Sequence, residues 1–430
     1  MFLHKIELKD LRSIERLVWE IDDNKAHGWH VIIGDNGSGK SGLLRAIALA
    51  LVGPQEAIAL RQDWNDWLRR NQKVGSIELD LDWDRGFDKF SGTGRPLKNY
   101  YLQAGLRFRR DDADPERVAL HPLKYKGDPK RHVWGPSAGW FSASYGPFRR
   151  FAGGDKDQEK LFYSNPKLAR HLSVFGESVA LTESLEWLKL LHYKTLENDP
   201  EGDLLAPVKD FVNQRGFLPH EARLDSVTSK GVRFVDGNGC EVVVESLSDG
   251  YRSILSMTFE LVRQLATTYG PDRIFDKKDP TKIIAPGVVL IDEIDAHLHP
   301  TWQRRVGHWF RKHFPKIQFI VTTHSPLICQ AATVGSVFRL PRPGSEEQAR
   351  MVTGTDLDRL LYGNVLDAYG TGAFGDVAVR SPEAFARLER LATLNQKELA
   401  EGLSPAEKKE QTKLRNMLPT AASEVSEDDE

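Results

Sequence analysis

The sequence lacks the features that mark secreted, membrane-spanning and fibrous proteins. Only two cysteines, Cys240 and Cys329, occur in 430 residues, and their spacing indicates neither a disulfide framework nor a zinc site. The longest apolar stretches fall well short of the about 18 residues that a membrane span requires. No basic-then-apolar leader opens the chain, and no sustained heptad repeat predicts a coiled coil. We therefore expect a cytoplasmic protein without membrane contact, in which both cysteines are buried as small hydrophobic residues.

An excess of charge of one sign is also missing. The 59 basic residues are offset by 61 acidic ones, which leaves a formal net charge of -2 and no global attraction to nucleic acid. DNA binding would have to come from a partner or from local basic groups, namely Arg107, Arg109, Arg110, Lys124, Lys126, Lys130, Arg131, Arg149 and Arg150. A solvated charged surface is the simpler interpretation, because Asp111 and Asp112 interrupt the first group.

The hydrophobic pattern predicts an α/β fold with a mixed sheet. Strand-like alternation opens the chain at Phe2 to Leu8, a short buried strand covers Val31 to Ile33, and a helix covers Ser41 to Leu51. We expect four parts: a first lobe (1–155) with an antiparallel region between Ile77 and Ser144, a helical insertion with a short β region (156–245), a second lobe (246–340), and a C-terminal extension (341–430). The extension is helical from Pro382 to Leu418 and ends in an acidic tail, Ala421 to Glu430, which we expect to be disordered.

A glycine-rich loop between the second strand and the first helix carries the strongest motif. Residues 34–41 read Gly-Asp-Asn-Gly-Ser-Gly-Lys-Ser, the P-loop pattern, in which backbone N–H groups wrap phosphates at a helix N-terminus. Lys40 would reach the β- and γ-phosphates, and Ser41 would ligate magnesium. The other nucleotide contacts that we expect in this loop are Asn36, Gly37, Ser38 and Gly39.

A second motif follows much later in the chain. The apolar run Val288 to Ile291 predicts a strand that delivers two carboxylates, Asp292 and Glu293, as in a Walker B motif. Asp292 would hold Mg²⁺ through its water shell, and Glu293 would polarise the attacking water. The expected cofactors are therefore ATP and Mg²⁺. A surface acidic pair at a strand end is the alternative interpretation.

Further motifs resemble those of ABC-type ATPases. The loop Ser248-Asp249-Gly250 is similar to their signature motif, and Asp295 stands where they have a D-loop. His324, which follows the apolar run Ile317 to Thr322, matches the switch histidine that contacts the γ-phosphate. The resemblance implies an ABC-type P-loop ATPase head, with catalytic Lys40, Glu293 and His324 and with a signature loop that acts on the ATP of a second copy.

Three further segments can be compared with the motifs of ABC-type ATPases. Leu11-Arg12-Ser13 resembles a segment of RecF- and SMC-type ATPases that approaches the nucleotide, which makes Arg12 a candidate contact. The expected Q-loop lacks a clear glutamine, and residues 144–149, Ser-Tyr-Gly-Pro-Phe-Arg, occupy the matching place. His297 and His299 raise the possibility of a metal, but no further ligand converges with them, and we expect packing and dimer contacts there.

Residues 291–303, with the following Thr323-His324-Ser325-Pro326, resemble the bacterial AAA-type ATPases allied to RecF and OLD proteins. A narrower resemblance concerns residues 61–69 and 365–375, which look like the PtuA ATPases of Septu and some retron antiphage systems. In that family the ATPase associates with itself and works with PtuB, an HNH-type nuclease. The resemblance implies both properties here, with DNA contacted through the complex.

Two alternatives share the nucleotide motifs. An OLD-type nuclease would carry a TOPRIM domain after the ATPase; Asp356 and Asp358 supply an Asp-x-Asp, but too few residues precede them for that fold. A RecF-like DNA-repair ATPase would bind DNA unaided and with a steep dependence on salt.

Overall fold

The computed structural model describes residues 1–93, 100–114, 116–151, 165–176, 182–374 and 381–418. The strands are β1 (Phe2–Leu11), β2 (Ile14–Glu20), β3 (Gly28–Ile33), β4 (Val74–Asp82), β5 (Leu102–Arg110), β6 (Val118–Pro122), β7 (Ser142–Tyr145), β8 (Arg223–Thr228), β9 (Gly231–Val235), β10 (Glu241–Val243), β11 (Gly287–Ile291), β12 (Ile317–Thr322), β13 (Gly335–Arg339) and β14 (Arg350–Met351). The helices are α1 (Lys40–Val52), α2 (Pro54–Ala57), α3 (Pro166–Ala169), α4 (Leu172–Phe175), α5 (Glu183–Leu196), α6 (Leu205–Val212), α7 (Asp249–Tyr269), α8 (Pro300–His313), α9 (Pro326–Cys329), α10 (Gly354–Tyr362), α11 (Val365–Tyr369), α12 (Pro382–Ala400) and α13 (Pro405–Met417).

A six-stranded mixed sheet, in the order β14-β13-β3-β12-β11-β7, is the centre of the first compact unit, Met1–Phe374. All neighbours in this sheet are parallel except β13 and β14. Side chains alternate between the faces of a strand, and here both faces are covered. Ile32 and Leu290 pack in one hydrophobic cluster, with α1 and the second sheet, whereas Val31 and Ile291 pack in the other, with α7 and α8. The predicted α/β fold with a mixed sheet is confirmed.

A five-stranded antiparallel sheet, in the order β2-β1-β4-β5-β6, lies on the α1 side. Its strands alternate as predicted, with Ile77, Leu79 and Leu81 buried in the α1 cluster. The antiparallel assignment fails at the end of the predicted region, because β7 runs parallel to β11, with Tyr145 opposite Ile291. All four residues of β7 are buried, and such a continuously buried run is typical of a parallel strand.

The helical insertion is followed by a small sheet, β10-β9-β8, that leads into the long helix α7. Cys329 is buried as expected, but Cys240 is exposed, which corrects the prediction for that residue. Cys240 lies in the turn between β9 and β10, where its N–H donates to Asp236 Oδ1 at 2.9 Å. Within the described ranges, no single helix is long and apolar enough to cross a membrane; one bent pair, Lys40–Val52 with Pro54–Leu60, meets the criteria of length and composition, and its helices bend by 118°.

The second compact unit, Gly375–Glu430, is described from residue 381 to residue 418. It is a helical hairpin of α12 and α13 around Leu391, Leu394 and Leu414, and its helices agree with the predicted stretch. The acidic tail lies outside the described residues. The preceding part of the predicted C-terminal extension, up to Phe374, belongs to the first unit.

Candidate functional site

The P-loop lies between β3 and α1, where the sequence predicts it. Gly39 adopts a φ of 100°, and a Cβ at this position would lie 2.7 Å from Ser13 Oγ, so only glycine fits there without strain. Lys40 is the first residue of α1, and its Nζ donates to the carbonyl oxygens of Gly34 and Asp35 at 2.8 and 3.1 Å. Burial lowers the pKa of Lys40, and nearby carboxylates, with Asp292 the largest contributor, oppose this shift.

The two carboxylates of the predicted Walker B motif follow β11 at the same edge of the sheet. Asp292 is buried, and its Oδ1 accepts a hydrogen bond from Thr322 Oγ1 at 2.6 Å. The same Thr322 oxygen accepts the N–H of Glu293 at 2.7 Å. Thr322 ends β12, the parallel neighbour of β11, so one hydroxyl ties the end of one strand to the carboxylate pair of the other.

A cavity of about 320 Å³ joins these elements. Eight of the predicted site residues line it: Arg12, Asn36, Gly37, Gly39, Lys40, Ser41, Glu293 and His324. The other lining residues come mainly from β1, from the β1–β2 turn and from α1, together with Trp67: they are Leu8, Leu11, Ser13, Ile14, Gly42, Ala46 and Trp67. Ser38 and Asp292 are buried beside the cavity without lining it.

Arg12 reaches the cavity from the turn between β1 and β2. Its φ is 51°, and its backbone N–H donates to the carbonyl oxygen of Trp67 at 2.9 Å. The guanidinium carbon lies 4.4 Å from the centre of the Trp67 ring, a cation–π contact. Burial, followed by the nearby Arg45, lowers the pKa of Arg12. Among the described residues its buried Nε has no hydrogen-bond partner, and Arg12 lines the cavity.

His324 lines the cavity, and Asp295 binds the backbone beside it. The backbone N–H of His324 donates to Asp295 Oδ2 at 3.4 Å, and Thr323 Oγ1 donates to Asp295 Oδ1 at 2.6 Å. The exposed His324 side chain lines the cavity. The aspartate at the predicted D-loop position therefore orients the backbone that carries His324.

The predicted signature loop is not part of this cavity. Ser248 precedes α7, Asp249 begins it, and none of Ser248, Asp249 and Gly250 is among the lining residues. Gly250 instead packs against the turn that follows the carboxylates, where a Cβ would lie 2.7 Å from the carbonyl oxygen of His297. His299 accepts the N–H of Thr301 at 3.4 Å and caps α8, so it has a structural role in this fold.

The segment at the predicted Q-loop position ends with Arg149, whose environment differs from the prediction. Arg149 was a candidate for DNA contact or for a solvated surface, and both interpretations are wrong, because it is buried. Its Nη1 donates to the carbonyl oxygen of Asp292 at 2.8 Å, and Nη2 donates to that of Glu293 at 3.1 Å. The other members of the basic groups outside β5, such as Lys124 and Arg150, are exposed.

Three residues near the cavity escaped the sequence-based prediction of the site: Trp67, Arg149 and Thr322. Trp67 stood in a recognisable segment, residues 61–69, but nothing in that segment linked it to Arg12. Thr322 was visible only as the last residue of a strand. To predict any of the three, one would have to know which distant segment of the chain packs beside it.

Comparison with known proteins identifies the class. Residues 76–330, more than half of the chain, match the family model described as an "AAA domain", with "AbiEii toxin" and "Type IV TA system" in the same description. The chain belongs to this AAA domain family. Residues 1–93 also match a family described as a protein of unknown function.

Curated relatives confirm the predicted resemblance to PtuA-like ATPases. The Septu protein PtuA of Bacillus mycoides is 26% identical over 86% of this chain and 45% of its own length. The retron Vc95 probable ATPase of Vibrio cholerae is 23% identical over 88% of this chain and 78% of its own length. A second PtuA, from Bacillus thuringiensis, is 33% identical over 34% of this chain and 35% of its own length. The chain thus spans less than half the length of either PtuA.

Among solved structures, an SMC head bound to the C-terminal winged-helix domain of ScpA matches 82% of this chain and 98% of its own chain, with a TM-score of 0.49 and 18% identity. The SMC head domain of Thermotoga maritima covers the same share of this chain and 99% of its own, with a TM-score of 0.38 and 13% identity.

Proposed function

We propose that this chain binds and hydrolyses ATP with Mg²⁺, associates with itself, and controls a partner HNH-type nuclease in antiphage defence. The observation that carries the proposal is the single cavity lined by Lys40, Ser41, Glu293, His324 and Arg12. This cavity collects a phosphate-binding loop, a carboxylate and two basic side chains. Phosphoryl transfer requires such an arrangement, because its catalysis consists of positioning and charge stabilisation.

The residues present fit a nucleotide and its metal ion. Ser38 Oγ in the loop and Arg12 Nε are buried without hydrogen-bond partners among the described residues, which suits groups that bind phosphate oxygens. Ser41 and Asp292 are the oxygen donors for Mg²⁺. Magnesium takes few protein ligands and completes its shell with waters and phosphate oxygens, and its bound charge would stabilise the transferring phosphoryl group.

Each side chain then has a defined task. Lys40 neutralises the β- and γ-phosphates, Glu293 polarises the attacking water, and His324 donates to the γ-phosphate. Asp292 is kept in place by Thr322, so the metal ligand and the carboxylate that activates water share one anchor.

Two substitutions test the proposal. We expect Lys40→Ala to abolish ATP binding, because the charge that neutralises the phosphates is lost, whereas Glu293→Gln should bind ATP normally and lower phosphate release by about 100-fold or more. Equilibrium binding and phosphate release separate the two effects. Normal turnover by Glu293→Gln would reject the catalytic assignment.

The proposal extends to a site shared by two copies of the chain. Ser248, Asp249 and Gly250 would act on the ATP bound to a second copy, an arrangement supported by their position outside their own cavity. Lys40→Ala and Ser248→Ala proteins, each inactive alone, should recover part of the ATPase rate when mixed. If subunits exchange and no activity returns, the shared site is rejected.

A partner nuclease is the remaining part of the proposal. The similarity to PtuA supports an HNH-type PtuB-like nuclease as partner and DNA contact through the complex. Within residues 357–374, Leu360 is buried and Leu361 and Phe374 pack on the core of the first unit, while Tyr362 and Leu366 are 74% and 56% exposed. The buried side chains support a closing cap, whereas the exposed ones are available to a partner.

Deletion of residues 381–430 separates the two interpretations of the C-terminal region. The deletion removes the helical hairpin and keeps residues 357–374, so ATPase activity should persist and a co-expressed neighbouring HNH nuclease should no longer co-purify. If the shortened protein unfolds, the region is a structural cap. If it folds and still retains the nuclease, residues 381–430 do not form the docking surface, and the exposed Tyr362 and Leu366 become the candidates.

A further inference from the structure

Arg149 is a buried arginine to which the proposed chemistry assigns no task. Only 4% of the residue is exposed. Its Nε donates to Ser253 Oγ at 2.8 Å. Nη1 donates to the carbonyl oxygens of Gly146 and Asp292 at 3.0 and 2.8 Å, and Nη2 donates to that of Glu293 at 3.1 Å. One guanidinium therefore joins the segment after β7, the start of α7 and the turn after β11.

The turn held by Arg149 contains the carboxylate that would activate water. β11 ends at Ile291, so the carbonyl groups of Asp292 and Glu293 lie beyond the sheet ladder. Glu293 has a φ of 47°, a conformation that residues with a Cβ rarely adopt and that the surrounding structure must hold in place. Its N–H is bound by Thr322 and its C=O by Arg149, so the backbone of Glu293 is fixed from both sides.

The other end of the link is the signature region. Ser253 lies four residues after Asp249, the first residue of α7, and is 1% exposed. Gly250 also approaches the carbonyl oxygen of His297 closely, which places the same end of α7 beside the same turn. A displacement of the start of α7 therefore acts directly on the residues around Glu293.

The charge and shape of arginine suit this position. Burial lowers the pKa of Arg149 to about 10, and Asp292, Asp295 and Glu293 oppose the shift, so the group remains protonated at neutral pH. A planar guanidinium presents five donors in a fixed fork, which matches several carbonyl oxygens and a hydroxyl at once. A lysine keeps the charge but cannot reproduce this geometry.

We propose that Arg149 is a positioning residue that fixes the backbone of Glu293 and transmits the position of the signature loop to it through Ser253. The proposal rests on the proposed ATPase function. It implies that the rate of hydrolysis, and not the affinity for ATP, depends on Arg149, and that part of this dependence passes through Ser253.

Single-turnover hydrolysis and equilibrium ATP binding, measured on the full chain, test the proposal. Arg149→Lys should hydrolyse ATP at least about tenfold more slowly, with ATP affinity within about twofold of the unmodified protein, because small displacements of a catalytic group affect rate more than binding. Ser253→Ala should slow hydrolysis about threefold. The double variant should be no slower than Arg149→Lys, because both changes break one link.

Arg170→Lys is the matched control. Burial also lowers the pKa of Arg170 to about 10, but its guanidinium carbon lies over the Phe141 ring at 5.3 Å and its Nη1 donates to Thr268 Oγ1 at 3.0 Å. It has no role in the proposed site, so its hydrolysis rate should equal that of the unmodified protein.

The contrary outcomes are distinct. An unchanged rate in Arg149→Lys, or a loss of ATP affinity in proportion to the rate, overturns the positioning role. If Arg149→Lys does not fold, Ser253→Ala decides, and an unchanged rate in that folded variant overturns the link. If the unmodified protein hydrolyses no more ATP than Lys40→Ala, the proposed function itself fails, and the positioning role falls with it.

Discussion

The six-stranded sheet and the five-stranded antiparallel sheet contribute to the cavity in different ways. In the six-stranded sheet, β3, β12, β11 and β7 are neighbouring parallel strands, so their carboxyl ends meet at one edge. The P-loop, His324, the carboxylate pair and the segment that contains Arg149 all follow these ends. In the antiparallel sheet, strand ends alternate between edges, and the basic side chain it contributes, Arg12, comes from the β1–β2 turn.

The site residues of the two sheets are therefore held in place in different ways. On the parallel side, the ladder fixes where each strand ends, and hydroxyl and guanidinium groups such as those of Thr322 and Arg149 lock the turns beyond the ends. On the antiparallel side, Arg12 depends on contacts from a separate segment through Trp67. We therefore expect damage to the turns after β7, β11 and β12 to reduce the rate of hydrolysis. Damage to the antiparallel side, like damage to the P-loop, should reduce the affinity for ATP.

The largest effect on hydrolysis should come from removal of the Thr322 hydroxyl, which belongs to the parallel sheet. Thr322→Val keeps the shape but removes the hydroxyl that binds Asp292 and the N–H of Glu293, so the turnover number should fall by about 100-fold. Steady-state phosphate release at saturating ATP and Mg²⁺ measures this. Thr267→Val is the control, because its exposed hydroxyl donates to the carbonyl oxygen of Arg263 in its own helix at 2.9 Å. Equal rates for the two variants would contradict the comparison.

A smaller effect, on ATP affinity, should follow from removal of the Trp67 ring, which supports Arg12 of the antiparallel sheet. Trp67→Leu removes the ring that stacks on Arg12, and ATP affinity should fall by about tenfold with little change in turnover number. Fluorescence titration with a labelled ATP analogue measures the affinity. Arg12→Ala should weaken binding to a similar extent, and the double variant should add little, because both changes remove one contact. Additive losses would show that Trp67 acts independently of Arg12.

A separate effect, which concerns the stability of the fold and leaves ATP hydrolysis aside, is the dependence of the free energy of unfolding on pH. Burial lowers the pKa of His30, on β3, from 6.5 to about 4. The unfolded state therefore binds a proton more readily than the folded state, so the stability contributed by neutral His30 is complete above pH 6.5 and is lost as the pH falls towards 4. The free energy of unfolding should decrease by up to about 1.4 kcal/mol per pH unit in this window.

Urea unfolding at several pH values measures how the free energy of unfolding depends on pH, and one variant in each sheet allows a comparison. His30→Gln should flatten the acid slope, whereas His121→Gln, at an exposed position of β6 in the antiparallel sheet, should leave it unchanged. An unchanged slope in His30→Gln would mean that other groups cause the acid destabilisation.

The amino-acid sequence by itself determined the local elements of the site. The P-loop, the strand before it and the helix after it follow from contiguous residues, because glycine conformations and hydrophobic periodicity act over a few positions. The same holds for the Asp292 and Glu293 pair at the end of an apolar run. These predictions needed no knowledge of which element lies beside which.

Only the tertiary structure decided how the elements are joined. The parallel pairing of β7 with β11, the burial of Arg149, and the contacts of Trp67 and Thr322 depend on residues far away in the sequence. The physical reason is that a charged side chain near a turn has the same local pattern whether it faces water or a ring of carbonyl groups. Its environment is set by the packing of distant segments, which local propensity does not encode.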